Sequence, residues 1–100
     1  MEFEKPSVNG FTVYSKSGCH NCSTVKKILQ DKNLAYNVVD CDDYIIEDKV
    51  NFLLFITELT EREIKQFPII FYDGIIVGGY NETKDFIDKL FLSFEDNLNF

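Results

Sequence analysis

The sequence predicts an α/β domain: a mixed four-stranded sheet with helices on both of its faces. Three observations predict it. Short apolar, β-branched runs alternate with stretches of helical periodicity; two such runs flank an Asp-Gly pair; and a Cys-x-x-Cys pair falls where the first run gives way to the first helix.

Phe11-Thr12-Val13-Tyr14-Ser15 reads as a strand buried on both faces. Lys16-Ser17-Gly18 turns into a helix from about Asn21 to Lys32. Its stripe of Val25, Ile28 and Leu29 follows the i, i+3, i+4 rhythm of one buried face, with Lys26, Lys27 and Lys32 outward. Tyr36-Asn37-Val38-Val39-Asp40 is a second strand, followed by an acidic turn with Asp42 and Asp43. From Tyr44 to Leu59 the pattern is helical with a wide apolar face, read mainly as core, with Phe52 and Phe55 as candidates for exposure. Thr60-Glu61-Arg62-Glu63 matches a capping box and predicts a further short helical turn. Ile69 to Tyr72, Asp73-Gly74 and Ile75 to Val77 form a hairpin pattern with a type I′ turn, ended by Gly78-Gly79. A last helix is expected from about Glu82 to Phe94, capped by Asn81, with Phe86, Ile87, Leu90, Phe91 and Phe94 on one side. The final six residues are expected to fray.

The first two strands, joined by a helix, should be parallel through a right-handed crossover, and the hairpin adds antiparallel strands. This β-α-β-α-β-β-α order is the thioredoxin-like arrangement. We expect a single domain over residues 1–100, with its core at about 11–94 and short irregular tails.

Composition narrows the function. A net charge of −7 disfavours duplex DNA or an anionic membrane as partner. Forty-five per cent apolar residues, 15% aromatic, are too many for a disordered chain. The longest apolar run, Phe52 to Ile56, is far shorter than the ~20 residues of a membrane helix. Met1-Glu2-Phe3-Glu4 is acidic where a signal peptide is basic. A reducing, cytoplasmic compartment is expected.

Three cysteines do not make a secreted disulfide framework. In a reducing compartment, Cys19-His20-Asn21-Cys22 means redox chemistry or metal binding. Cys19 falls at a helix start, where unpaired N–H groups and about half a positive charge favour thiolate over thiol. Such positions lower a cysteine pKa from ~8.5 to ~3.5–7.5. From Phe11 through Val39 four lysines face Asp31 alone, a local net of +3 suited to a small anionic thiol. The first cysteine of such a pair projects toward solvent and the second is shielded by the first turn. Cys19 is then the attacking thiolate and Cys22 the resolving thiol.

Three blocks carry a resemblance: Tyr14-Ser15-Lys16-Ser17-Gly18-Cys19-His20-Asn21-Cys22, Phe67-Pro68-Ile69-Ile70-Phe71 and Ile76-Val77-Gly78-Gly79-Tyr80-Asn81-Glu82-Thr83. In these blocks and their order the chain resembles a glutaredoxin from about Phe11 to Phe91. The Phe-Pro and Gly-Gly-Tyr-Asn-Glu-Thr wording is more similar to glutaredoxins of large DNA viruses than to cellular ones.

The resemblance implies reduction of protein disulfides and protein–glutathione mixed disulfides by a monomer, with glutathione as co-substrate and no permanently bound cofactor. It implies that Lys16 meets a glutathione carboxylate and that Phe67 pairs its backbone with the cysteinyl segment. Pro68 would be a cis-proline that turns Phe67 toward Cys19. Gly79 would allow close approach, and Asn81 and Glu82 would hold the γ-glutamyl carboxylate at a helix start. The chain departs from the family at His20 and Asn21, where proline and an aromatic are usual, at Gln66, where threonine is common, and at Glu82, where aspartate is. No glutamine on the second helix matches the family's glutathione contact; Lys65 is the substitute considered. His20 reads as a bystander, a tuner of the thiolate or a metal ligand. Cys41 reads as a half-buried small residue or a regulatory thiol. Two rival readings remain: a metal or iron–sulfur module using Cys19, His20, Cys22 and Cys41, and a thioredoxin-like interaction protein without turnover.

Overall fold

The structure, a computed structural model, describes residues 1–98, with side chains described for residues 1–92. The elements are β1 (Phe11–Ser15), α1 (His20–Asp31), β2 (Tyr36–Asp40), α2 (Asp42–Thr60), β3 (Ile69–Tyr72), β4 (Ile75–Gly78) and α3 (Tyr80–Leu98). The sheet order is β2-β1-β3-β4, with β2 parallel to β1 and the other pairs antiparallel. This is the thioredoxin-like arrangement expected from the element order.

β1 lies inside the sheet and all five of its residues are buried. Its side chains alternate between two cores, as the two-residue period of a strand requires. Tyr14 joins Ile69, Phe71, Phe52 and Ile56 on the α2 face. Phe11 and Val13 join Ile70, Val25, Leu29 and Ile87 on the face covered by α1 and α3. The hairpin turn has the expected type I′ character, with φ of 50° at Asp73 and 83° at Gly74.

Three expectations are corrected. The Thr60–Glu63 segment starts no new helix; it ends α2. The Thr60 hydroxyl donates to the Ile56 carbonyl and accepts the Arg62 N–H, while Glu61 turns left-handed at φ 55°. The left-handed Glu61 ends the helix, and no helical turn follows it before β3. α2 is also kinked: Asp48 leaves helical geometry and its carboxylate accepts from the Asn51 side chain at 3.0 Å. Asn81 is not the cap of α3. Gly79 is, because the Glu82 carboxylate reaches back to its N–H at 3.1 Å and the Thr83 N–H bonds to its carbonyl. Finally, α3 continues through Leu98, past the end expected at about Phe94, with no glycine or proline to stop it. Residues 99 and 100 and the Phe94 side chain lie outside the described residues.

The N-terminal tail is irregular, yet it is part of the core. The Phe3 ring packs 5.0 Å from Tyr44, 5.3 Å from Phe55 and 5.5 Å from Phe52, and Tyr14 donates its hydroxyl to the Glu4 carbonyl at 2.6 Å. Phe52, considered for exposure, is fully buried beneath it. Among the described residues no helix is long and apolar enough to cross a membrane.

Phe52→Ala should cost ~3–5 kcal/mol, the usual loss for a buried phenylalanine. Phe3→Ala should exceed the ~0.5 kcal/mol typical of surface changes. Urea midpoints at unchanged slope measure both; a Phe3→Ala midpoint equal to wild type would detach the tail from the core.

Candidate active site

β1 delivers the chain to the carboxyl end of the sheet, and Lys16-Ser17-Gly18 carries it into α1. Gly18 adopts φ 73°, a left-handed turn that a side chain would strain. Cys19 is the N-cap of α1, with extended backbone geometry, and its sulfur accepts the Cys22 N–H at 3.2 Å. Cys19 is partly exposed, whereas Cys22 is buried. The two are joined in a disulfide, with their Cα atoms 5.3 Å apart. No acidic residue occupies the first turn of α1, so nothing there opposes negative charge on the Cys19 sulfur.

The loop is held from outside. The Asp42 carboxylate, in the first turn of α2, accepts the Ser17 backbone N–H at 2.8 Å and the Ser17 hydroxyl. These bonds, side chain then backbone, hold the Asp42 carboxyl below the usual carboxylate range, with Lys16 adding to the effect. Neither residue was a sequence candidate, since their partnership spans 25 positions. Only the spacing of an acidic turn after a strand hinted at it.

Three grooves bear on the candidate site, one of them lined by Cys19. One of about 480 Å³ runs along the loop, lined by Cys19, Lys16, His20, Lys26 and Asp40. Lys26 donates to the Ser15 hydroxyl at 3.3 Å, and the His20 ring lies 3.5 Å from the Thr24 hydroxyl on its own helix. The local net of +3 counted along the chain is therefore offset in space, because β2 and α2 bring Asp40 and Asp42 beside the lysines.

A second groove of about 260 Å³ brings Lys16, Lys65 and Phe67 together with Lys49 of α2. Lys49 was missed, although it sits four residues from both Ile45 and Leu53 on one helix face. The Lys16 ammonium stands 5.7 Å from the Phe67 ring centre, and the Phe67–Pro68 peptide is cis. A third groove of about 410 Å³ joins Gln66 and Lys65 to Gly78, Gly79 and Glu82 at the start of α3. Here the glycine that the fold itself requires is Gly78, not Gly79. Gly78 has φ 132°, and a Cβ there would come within 2.9 Å of the Glu82 side chain. A Cβ on Gly79 would make only ordinary contact, 3.6 Å from Glu82 and 3.7 Å from the Pro68 carbonyl. Asn21 and Asn81 are both exposed in the first turns of their helices.

Cys41 is not half-buried; it is sealed within the α2-side core. Burial pushes its thiol up to about 12, and its sulfur points at the Val39 carbonyl, 3.5 Å away. It is not brought together with Cys19, His20 and Cys22. Among the described residues no three His, Cys, Asp or Glu side chains converge as metal ligands.

Comparison with known proteins agrees with this geometry. The glutaredoxin family profile matches residues 11–77. Mitochondrial glutaredoxin-2 of Rattus norvegicus is 38% identical over 81 residues, covering 80% of this chain and 48% of that protein. The chain thus spans about half the length of that relative. The crystal structure of glutaredoxin 1 from Francisella tularensis complexed with cacodylate superposes with a TM-score of 0.71 at 26% identity, over 81% of this chain and 94% of that one. The buckwheat glutaredoxin–glutathione complex superposes with a TM-score of 0.63 at 25% identity, over 78% of this chain and 69% of that one.

Two measurements check the site. In the reduced native protein at neutral pH, iodoacetamide should label Cys19 while Cys41 waits for denaturant; rapid native labelling of Cys41 would contradict its burial. The Asp42 carboxyl is depressed on folding, so its stabilisation is complete above the unfolded pKa of ~3.9 and is lost as pH falls through the lower folded value. Asp42→Asn should therefore lose less stability than wild type on acidification from pH ~5 to ~2.

Proposed function

This chain is a member of the glutaredoxin family, and from that premise we propose that it is a glutathione-dependent thiol–disulfide oxidoreductase reducing protein disulfides and protein–glutathione mixed disulfides. The observation that carries the reading is the partly exposed Cys19 sulfur at the N-cap of α1, bonded to buried Cys22.

The Cys19 thiolate attacks one sulfur of a substrate disulfide, forming a mixed disulfide and releasing the other sulfur as thiolate. The helix N-terminus stabilises the attacking charge and so favours thiolate over thiol. Cys22 then loses its proton and attacks the Cys19 sulfur. The substrate's second thiolate leaves, and two electrons have passed from the cysteine pair to the substrate. The Cys19–Cys22 bond in the structure is the product of that step. One glutathione thiolate reopens it at Cys19 and returns Cys22 to the thiol. A second attacks the resulting mixed disulfide, releasing oxidised glutathione and the Cys19 thiolate.

Glutathione lies across the start of α1 in this reading. Phe67 offers backbone hydrogen bonds beside Pro68 to the cysteinyl segment. Lys16 and Lys65 face the glycyl carboxylate. The first-turn N–H groups at Asn81 and Glu82 receive the γ-glutamyl carboxylate, with Gly79 beside it. The Glu82 carboxylate accepts the Gly79 N–H, which fixes the start of the helix that offers those donors. His20 and Asn21 border the nucleophile, leaving its loop without the family's proline. That the buckwheat relative is a glutathione complex supports this assignment. We further propose that residues 1–100 act as one domain, as a monomer in the reducing cytoplasm, with glutathione as co-substrate and no resident cofactor.

The cysteine variants test the roles. Cys22→Ser should keep most turnover of glutathione mixed disulfides, which need one nucleophile, and lose reduction of protein dithiol disulfides. Cys19→Ser should reduce both to background. Equal losses from the two substitutions would remove the division of labour.

A further inference from the structure

α2 leaves large apolar side chains in water: Ile46 is 79% exposed, Val50 72% and Leu54 55%. Single exposed residues of this kind are ordinary, but Val50 and Leu54 line a continuous feature. Together with Leu53, Ile64 and Lys65 they form a depression of about 390 Å³. Leu53, Ile64 and Lys65 also wall the groove that reaches Lys16 and Phe67. The two depressions share that wall and together make a trough from Lys16 and Phe67 to the outer face of α2.

Its charge is opposite to that of the chain. Lys16, Lys49 and Lys65 line it against Glu63, which pairs with Lys65 at 3.2 Å, whereas the whole protein carries −7. We propose that this trough receives the polypeptide of a disulfide substrate on the C-terminal side of its reacting cysteine. It selects segments that carry apolar and acidic side chains there. The inference rests on the oxidoreductase reading above and extends it to the substrate class.

Direction follows from that reading. The tripeptide runs from its γ-glutamyl end at α3 to its glycyl end at Lys16, and there it stops. A protein strand pairing with Phe67 in the same sense continues past Lys16 toward Lys49, then lays apolar side chains against Leu53, Val50 and Leu54. Acidic side chains beside them meet the lysines. A second copy of this chain is a poorer occupant, because two bodies of charge −7 repel.

The test is single-turnover reduction by the reduced protein of symmetrical disulfides of two cysteine peptides. One carries Leu and Glu residues after the cysteine and the other Gly and Lys. The mixed disulfide of glutathione and cysteamine serves as the small substrate. We expect the Leu/Glu peptide to react about tenfold faster, the scale of one or two apolar contacts. The V50E/L54E double variant should abolish that preference and leave the small substrate unchanged, and Lys49→Glu should invert the preference between the peptides. Equal peptide rates in wild type, a preference surviving V50E/L54E, or a fall in sedimentation mass caused by V50E/L54E would each overturn the proposal. Failure of wild type to turn over even the small substrate would instead remove the parent reading.

Discussion

The hydrogen bond from the Cys22 N–H to the Cys19 sulfur ties the backbone of α1 to the chemistry of the site. A helix N-terminus has donors with no partner inside the helix, and here the first residue outside it supplies a sulfur acceptor. That bond caps the helix. Hence the geometry that starts α1 at His20 also leaves Cys19 partly exposed at the helix N-cap, while Cys22 is buried in the first turn.

That arrangement needs a rigid support, which β1 provides. Its five buried residues serve two cores at once, so the strand end that feeds the active-site loop is held from both faces of the sheet. Beyond the strand the loop has no sheet partners, and the Asp42 carboxylate takes their place by gripping Ser17. The N-terminal tail strengthens the same side of the sheet, because Phe3 closes the aromatic cluster over Phe52.

Electrostatics around the cysteines is local, not global. An acidic chain can favour an anionic thiol only where backbone dipoles and lysines dominate within a Debye length of ~8–10 Å. Lys16 lies beside Phe67, while Asp40 lines the loop groove with it and Asp42 grips the loop at Ser17. Lys49 of α2 and Lys65 of the following loop line one groove with Lys16 and Phe67, and Val50 and Leu54 stay exposed on the outer face of α2.

Local patterns determined much of this protein. The buried strand at Phe11–Ser15, the Asp73-Gly74 turn and the placement of Cys19 at a helix start each depend on residues within a few positions of one another. Periodicity and turn chemistry therefore reveal them. The cis Phe67–Pro68 bond was legible only through the family resemblance. Motifs failed where a local signal had two uses: Thr60 could begin a helix or end one, and Asn81 lost the cap of α3 to Gly79 once Glu82 folded back. Other features exist only after the sheet is assembled. The Asp42 grip on Ser17, the sealing of Cys41, the seat of Phe3 and the joining of Lys49 to Lys16 all link residues whose proximity follows from strand order and helix packing. Sequence spacing carries the geometry of one turn or one pleat; contacts across dozens of residues are decided by the sheet register that brings their elements together.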